Sequence, residues 1–223
     1  MTKIILVRHC ESQGNTSGRF QGITDCDVSG NGAIQLDLLS VRMRNVPIDA
    51  LYSSPLRRAY KTAEAINRYH NLEIHVEKEL SEIDVGVWEG KTWAEVEKER
   101  PDEFRIWGER PEEFDPEGGE SMRRVYDRIW LAVTKIVREN PGKTVCITSH
   151  GCVIRNFLCR ALGKPIMELN DIDWCDNTGI SVVEFDEEMR PKVLKMNDAS
   201  HIPAELSAYR RQSGGDAPQG IVP

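Results

Sequence analysis

Two histidines follow short apolar runs of the chain and stand beside side chains that suit chemistry on an anion. Arg8, His9 and Cys10 come directly after the apolar run Ile4–Val7, and His150 follows a second apolar run. Imidazoles and thiolates are both nucleophiles, and a guanidinium binds phosphate or carboxylate groups. The pattern therefore indicates covalent catalysis on an anionic group, with either His9 or Cys10 as the nucleophile.

Cys10 lacks the sequence context of a reactive phosphatase thiol. Cysteine-dependent phosphatases resemble a C-x5-R loop, but the residue six positions after Cys10 is Thr16, and no other cysteine has an arginine at that distance. We expect Cys10 to take no part in the reaction, and to be sensitive to oxidation if Arg8 and His9 lower the pKa of its thiol.

The other candidate ligands give no metal or disulfide pattern. His70, His75 and His201 show no spacing typical of a metal site, such as HExxH. The six cysteines form no CxxC pair in a chain that is not short, so we expect free thiols. No metal or other cofactor is expected.

The elements that carry the two histidines are predicted to be parallel strands. Apolar runs alternate with helical patterns, which is typical of an α/β protein. The carboxyl ends of parallel strands lie at one edge of the sheet, so both histidines are expected there. The last two strands are joined by an acidic turn typical of a hairpin, which predicts one antiparallel edge strand. The predicted strands are 4–7, 49–53, 73–76, 144–149, 180–185 and 191–196.

Three helices have clear signals. After the segment GGES, apolar residues repeat at three- and four-residue steps from Met122 to Val137, with Ser121 as the expected N-cap. A second helix is predicted at about 55–69, after SSP, and a third at about 153–162, after SHG.

Composition excludes several classes of partner. The chain has 223 residues, of which 39% are hydrophobic, and a formal net charge of −7, so it is expected to repel nucleic acids and anionic membranes on average. No stretch approaches the roughly 20 apolar residues of a membrane span, and the N-terminal apolar run is too short for a signal peptide. We expect a cytoplasmic protein; the sequence leaves its oligomeric state open.

We predict a three-layer α/β/α sandwich with a mixed, mainly parallel sheet, formed by a single domain over residues 1–211. Residues 88–119 are rich in charge, tryptophan and proline, which predicts an inserted helical cap. Residues 212–223 are predicted to be a disordered tail.

Five segments occur in an order and at spacings that resemble the histidine phosphatase superfamily, in its phosphoglycerate-mutase-like branch. They are RHCESQGN, SSPLRRAYKTA, LSEIDVGVWEG, GGES and TSHG, and the resemblance covers about Lys3 to Gly179. The glycine that usually follows the Arg-His pair in the family is Cys10 here, so we expect a slightly altered turn.

The resemblance implies a role for each candidate residue. His9 is the expected nucleophile, which forms a phosphohistidine, and Glu82 is the expected general acid. A carboxyl group beside a dianionic substrate has its neutral form favoured, as an acid catalyst requires. Arg57 is expected on the surface. The remaining implied groups are Arg8, Arg58 and His150, which neutralise the transferring phosphoryl group, and Asn15, Gln21, Gly22 and Gly151, which add uncharged contacts.

For two sets of residues, the sequence leaves two roles open. Glu120 and Ser121 either start a helix or contact the substrate. Four tryptophans either wall a pocket or pack in the core; they are Trp88, Trp93, Trp107 and Trp174.

The favoured function is a metal-independent phosphatase that acts on a small phosphorylated metabolite. The alternatives are a cofactor-dependent phosphoglycerate mutase and a non-catalytic protein that binds a phosphorylated ligand. Against the mutase, the chain has EIDVG where mutases resemble E-R-x-Y-G, and so lacks the expected arginine. Against the non-catalytic protein, every reacting residue is present. The substrate itself is not identified by the sequence, and the cap at 88–119 is expected to select it.

Overall fold

The computed structural model describes residues 1–207, so the predicted tail at 212–223 lies outside the described residues. Every predicted strand is observed, with ends that differ by at most two residues. The strands are β1 (Thr2–Arg8), β2 (Ala50–Ser53), β3 (Ile74–Val76), β4 (Thr144–Ser149), β5 (Ile180–Phe185) and β6 (Pro191–Asp198).

The strands form one mixed sheet in the order β3-β2-β4-β1-β5-β6. Neighbours among β1 to β4 are parallel, whereas β5 is antiparallel to β1 and to β6. The hairpin is confirmed, but the strand of opposite direction is β5 and not the edge strand β6. The reason is that the chain enters β5 beside the end of β1, where Val7 pairs with Ile180, and must run back along it.

Helices cover both faces of the sheet. They are α1 (Gln13–Thr16), α2 (Gly30–Met43), α3 (Arg57–Asn67), α4 (Trp93–Glu99), α5 (Pro101–Glu109), α6 (Met122–Glu139) and α7 (Gly151–Ala161), with short 3₁₀ turns at Lys78–Leu80, Gly86–Trp88, Pro111–Glu113, Ile166–Asp171 and Ala204–Leu206. Ser121 is the N-cap of α6, and its side chain accepts a hydrogen bond from the Arg124 N–H. The sequence patterns did not single out α2, which begins Gly-Asn-Gly.

Side chains of β1 are buried on both faces of the sheet, which explains its continuous apolar run. Ile4 and Leu6 belong to a core shared with α6 and α7, whereas Ile5 and Val7 pack in a second core with residues of α2 and α3. The predicted three-layer α/β/α sandwich with a mixed, mainly parallel sheet is therefore confirmed.

The segment 88–119 contains α4, α5 and the turn at Pro111–Glu113. Its residues Trp88, Trp107 and Phe114 are buried in the same core as Leu6, so the segment packs directly on the sandwich. Trp88 is fully buried, and its indole N–H donates to a carboxylate oxygen of Glu103 at 2.9 Å. The predicted domain boundaries stay predictions. Within residues 1–207, no helix has the length and apolar character needed to cross a membrane.

Candidate active site

Strand register brings the two histidines together. In the parallel pair of β1 and β4, Arg8 lies opposite Ser149, so His9 and His150 follow at neighbouring positions. The His9 N–H donates to the Ser149 carbonyl at 2.9 Å, and the centroids of the two imidazole rings lie 5.1 Å apart. The edge of the sheet predicted from the sequence thus holds both rings.

The His9 ring is held in one tautomer by the backbone. Its Nδ1 lies 2.6 Å from the Cys10 carbonyl oxygen, and because a carbonyl can only accept, Nδ1 carries the hydrogen. Burial lowers the pKa of His9 well below its usual value, and the positive charges of Arg58 and Arg8 lower it further. His9 is therefore neutral near pH 7, with an electron pair on Nε2.

His150 is buried behind His9 and is also neutral. Burial is the largest cause that lowers its pKa, followed by the charge of Arg58. Its Nε2 lies 2.7 Å from the Ser54 hydroxyl, while its buried Nδ1 has no hydrogen-bond partner among residues 1–207. The Ser54 hydroxyl accepts from the Leu56 N–H and can donate its own hydrogen to Nε2. Nδ1 of the neutral ring then carries a hydrogen, so His150 suits the role of a neutral donor to an anion.

Glu82 occupies a site that favours its protonated form. Burial raises its pKa, although two backbone N–H groups and the charge of Arg58 oppose the shift. One carboxylate oxygen accepts from the Ile83 N–H at 3.0 Å, and the other from the Cys152 N–H at 3.2 Å, in the first turn of α7. A carboxyl group with a raised pKa near a nucleophile suits proton transfer.

The loop that carries Glu82 is fixed by Arg128 of α6. This guanidinium donates to both carboxylate oxygens of Glu120 at 2.8 Å, to the Glu79 carbonyl at 2.6 Å and to the Ser81 carbonyl at 3.0 Å. Ser121 caps α6, as the first interpretation has it, and Glu120 holds Arg128; neither residue lines the cleft described below, and substrate contact stays a prediction.

Arg8 and Arg58, the two arginines predicted near the phosphate, and Arg57, predicted on the surface, differ in position. Arg8 lines the cleft beside His9, and its Nη1 donates to the Cys175 carbonyl at 2.5 Å. Arg58 is fully buried, and its two terminal nitrogens donate to backbone carbonyls of residues 21–24. Arg57 is on the surface, as predicted, where it pairs with Asp25 at 3.1 Å.

The loop after His9 supplies uncharged groups. The Asn15 side chain accepts from the Ser12 N–H at 3.0 Å, which caps α1, and the Gln21 amide is hydrogen bonded to the Ser12 hydroxyl at 2.6 Å. Gly22 is required by packing, because a Cβ there would lie 2.0 Å from the Ile83 carbonyl oxygen. Asn15, Gln21 and Gly22 all line the cleft.

The cleft gathers most of the predicted site residues. Arg58, His150 and Gly151 do not line it, but Arg58 holds its Gln21–Gly22 wall, and Gly151 lies against Arg8, whose Nε would be 3.3 Å from an added Cβ. The full lining is Arg8, His9, Asn15, Phe20, Gln21, Gly22, Glu82, Ile83, Val85, Trp107, Cys152 and Trp174.

Cys10 is not the activated thiol that its neighbours suggested. It is fully buried with Leu36 and Ala65, and burial raises its pKa to about 11, so the condition for oxidation sensitivity, a pKa lowered by Arg8 and His9, is not met. Its N–H donates to the Thr62 hydroxyl at 3.0 Å. Its backbone is outside the left-handed region, so a side chain is accepted there. The altered turn stays a prediction, and all six cysteines are free thiols, as expected.

Sequence reasoning missed the hydroxyl groups that support the site. The Ser12 hydroxyl is hydrogen bonded to the Gln21 amide, and the Ser54 hydroxyl to the His150 ring. The Thr62 hydroxyl accepts a hydrogen bond from the Cys10 N–H. Ser54 lies in the quoted SSP segment, but nothing in that segment says which histidine it contacts. Within residues 1–207, no group of three or more His, Cys, Asp or Glu side chains is placed to hold a metal ion.

Known proteins are similar to this chain in sequence and in fold. A sequence model of the histidine phosphatase superfamily (branch 1) matches residues 4–199. Phosphoserine phosphatase 1 of Hydrogenobacter thermophilus is 38% identical over 202 residues, which are 91% of this chain and 95% of that protein. The structure of Bacillus stearothermophilus YhfR has a TM-score of 0.87 at 30% identity, and covers 91% of this chain and 100% of its own. A phosphoserine phosphatase mutant of Entamoeba histolytica, solved with phosphoserine, has a TM-score of 0.79 at 29% identity, with the same coverage.

Proposed function

Because the chain belongs to the histidine phosphatase superfamily, we propose that it is a phosphatase that hydrolyses a small phosphomonoester through a phosphohistidine on His9. The 38% identity with a phosphoserine phosphatase supports the hydrolysis of phosphate esters. The single observation that carries the proposal is the bond from His9 Nδ1 to the Cys10 carbonyl, because it leaves Nε2 as the nucleophilic nitrogen.

In the first step, Nε2 of His9 attacks phosphorus, and the bond from phosphorus to the ester oxygen breaks. Protonated Glu82 gives its proton to the departing alkoxide, which leaves as an alcohol. The raised pKa of Glu82 supports this role, since the proton must be present when the substrate arrives.

In the second step, water attacks the phosphohistidine. The Glu82 carboxylate left by the first step takes a proton from that water, the bond between phosphorus and nitrogen breaks, and inorganic phosphate leaves. His9 returns to its neutral form and Glu82 to its protonated form. The net reaction is the hydrolysis of one phosphomonoester, with no change in either residue.

The protein itself supplies the charge that stabilises the transferring phosphoryl group. Arg8 and Arg58 contribute positive charge, and the neutral His150 contributes an N–H through Nδ1. Asn15, Gln21, Gly22 and the Gly151 N–H add uncharged contacts. With these groups the proposed mechanism uses no metal ion, and hydrolysis is expected to persist in excess chelator.

We favour a phosphatase over a phosphoglycerate mutase because EIDVG at 82–86 lacks the arginine expected in mutases. A mutase must also protect the phosphohistidine from water, whereas a phosphatase must admit water. The net charge of −7 supports a small phosphorylated metabolite as the partner, and not nucleic acid or an anionic membrane.

Trapping the intermediate tests the proposal. Protein mixed with a radiolabelled aryl phosphate and quenched at alkaline pH, where phosphohistidine survives, should retain label, and His9→Ala should retain none. His75→Ala is the matched control, because His75 is exposed and outside the cleft. Label on His9→Ala would move the nucleophile elsewhere, with His150 as the next candidate, and label lost in excess chelator would contradict a metal-independent reaction.

A further inference from the structure

The cleft that holds the proposed phosphate site has two chemically different parts. The polar part contains His9, Arg8 and Glu82, together with uncharged amides. The other part is mainly apolar, and it consists of Phe20, Ile83, Val85, Trp107 and Trp174; the buried indole N–H of Trp174 has no hydrogen-bond partner among residues 1–207. The cleft has a cavity volume of about 40 Å³, and about 420 Å³ of empty space when its open mouth is counted, so a substituent on the phosphoryl group must extend toward the mouth. Since the phosphoryl group needs the polar part, the rest of a substrate faces the apolar part.

The apolar wall is preformed by contacts between aromatic rings. Trp107 stacks with Trp174 at a centroid distance of 6.2 Å and an interplanar angle of 29°, and Phe20 lies edge-on to Trp107 at 6.0 Å. Phe114 also packs edge-on against Trp107 at 4.8 Å, and the Arg155 guanidinium lies 4.7 Å from the Trp174 ring. A wall held in this way needs little reordering to receive an apolar group.

The same wall has no counter-charge for a second anionic group. Among residues 1–207, the only cationic side chain that lines the cleft is Arg8, which lies beside His9 in the polar part. Arg155 lines a different cavity, and it donates to the Ile172 carbonyl at 2.7 Å and to the Asn170 side chain at 2.9 Å. A carboxylate against Trp107 and Trp174 would lose its water without gaining a charged partner, which is unfavourable.

Resting on the proposed phosphatase function, we propose that the substrate is the phosphomonoester of an uncharged, apolar alcohol, aliphatic or aromatic. The cleft selects against phosphoserine and 3-phosphoglycerate, whose carboxylates would meet Ile83, Val85 and the tryptophan pair. Substrate choice is thus set by the loop after Glu82 and by two tryptophans from separate segments, while the polar part treats every phosphoryl group alike.

The first test compares alkyl phosphates that need the same chemistry. We expect kcat/KM for 2-phenylethyl phosphate to exceed that for phosphoserine and for 3-phosphoglycerate on the order of 10- to 100-fold. Glycerol 3-phosphate, which is polar but has no carboxylate, should lie between them. N-acetyl-phosphoserine N-methylamide has the same ester oxygen as phosphoserine but lacks its ammonium and carboxylate charges. Its kcat/KM should approach that of 2-phenylethyl phosphate.

The outcomes separate this inference from the proposed function. If phosphoserine or 3-phosphoglycerate is the better substrate, the inference is overturned, and His9-dependent hydrolysis of an aryl phosphate still supports a phosphatase. If no ester in the panel, aryl phosphate included, releases phosphate, the proposed function fails as well. An equal rate for all alkyl phosphates also overturns the inference, since it would mean that the apolar wall does not contact the leaving group.

A pair of variants locates the selectivity. Trp107→Leu shortens the wall while keeping it apolar, and it should lower the ratio of kcat/KM for 2-phenylethyl phosphate to that for methyl phosphate. Trp130→Leu is the matched control, because Trp130 packs against Phe157 and Phe185 and does not line the cleft. An unchanged ratio in folded Trp107→Leu, or an equal fall in both variants, contradicts the assignment. The substrate panel on the unmodified protein remains decisive if Trp107→Leu does not fold.

Discussion

Glu82 is the residue whose role depends most on its surroundings, since an exposed glutamate would be ionised near neutral pH. In Glu82→Gln we expect the hydrolysis of alkyl phosphates to fall about 10²- to 10⁴-fold, the usual worth of general-acid catalysis. Hydrolysis of p-nitrophenyl phosphate should fall far less, because its leaving group needs little protonation. The measurement is kcat/KM for 2-phenylethyl phosphate and for the aryl ester.

Glu79→Gln is the control for this prediction. Glu79 is exposed three residues before Glu82, and its side chain is outside the cleft, so both substrates should keep their rates. Equal losses on the two substrates in Glu82→Gln would remove Glu82 from the role of acid.

At the same scale, residue types and the order of the motifs selected His9, Glu82 and their neighbours as candidates, and the roles of these residues stay predictions. Residue types did not predict the pKa values. The pKa of Cys10 was not predictable because adjacent Arg8 and His9 are visible in the sequence, whereas burial with Leu36 and Ala65 comes from distant segments. Desolvation is a property of the packed protein and outweighs what lies next along the chain.

At the scale of elements, α6 positions the acid-bearing loop through one side chain. Arg128→Met removes the bonds to the Glu79 and Ser81 carbonyls, so Glu82 should lose its fixed position. We expect alkyl phosphate hydrolysis to fall about tenfold, which corresponds to about 1.4 kcal/mol, with a smaller effect on p-nitrophenyl phosphate. The measurement is the ratio of kcat/KM for the alkyl phosphate to kcat/KM for p-nitrophenyl phosphate. Arg128→Lys should lower this ratio less than Arg128→Met does.

Arg124→Met is the matched control for the loop. Arg124 also lies near Glu120, at 3.7 Å, but its side chain is 75% exposed and it makes no bond to the loop. We expect no change in the ratio. A uniform loss on both substrates in Arg128→Met would indicate a general loss of folded protein and would argue against positioning.

The elements themselves were largely predictable because their signals are local. Apolar runs located the strands, and Ser121 with the repeat after it located α6. The direction of β5 was not predictable in this way, because it depends on where the chain after α7 delivers Gly179, beside Arg8 of β1. Helix α2 was missed because its Gly-Asn-Gly start is a weak helix signal.

At the scale of the whole molecule, the buried site couples stability to pH. Folding lowers the pKa of His9 and His150, so below about pH 6.5 the unfolded chain binds protons that the folded protein does not. The free energy of unfolding should therefore be highest above that pH and fall as the pH decreases. The slope should approach about 1.4 kcal/mol per pH unit for each histidine. Glu82, whose pKa is raised, opposes this trend toward lower pH.

Urea denaturation at several pH values between 5 and 7.5 measures this slope. His150→Gln should reduce the slope by the contribution of one proton, about 1.4 kcal/mol per pH unit. Trp130→Phe removes no titratable group and should leave the slope unchanged. A free energy of unfolding that is flat over this range, or that rises toward pH 5, would contradict neutral buried histidines.

The least predictable part of the site is its apolar wall, because only the complete fold assembles it. Trp107 comes from α5 and Trp174 from the segment before β5, and neither has a neighbouring motif that indicates a cleft. Sequence reasoning could name four tryptophans but could not separate these two from Trp88, which is fully buried in the core. The two candidate histidines follow strand ends and obey a local rule, whereas the apolar wall is formed by packing between remote segments.

The buried thiol of Cys10 can report how often the structure around it opens. Because the side chain is fully enclosed among residues of α2 and α3, a disulfide reagent can reach it only while this packing is open. When closing is fast, the rate of thiol exchange equals the intrinsic rate multiplied by the open fraction of molecules. The rate of thiol exchange at Cys10, beside the proposed nucleophile His9, therefore measures how often this packing opens, and an anion that stabilises the closed site should lower that rate.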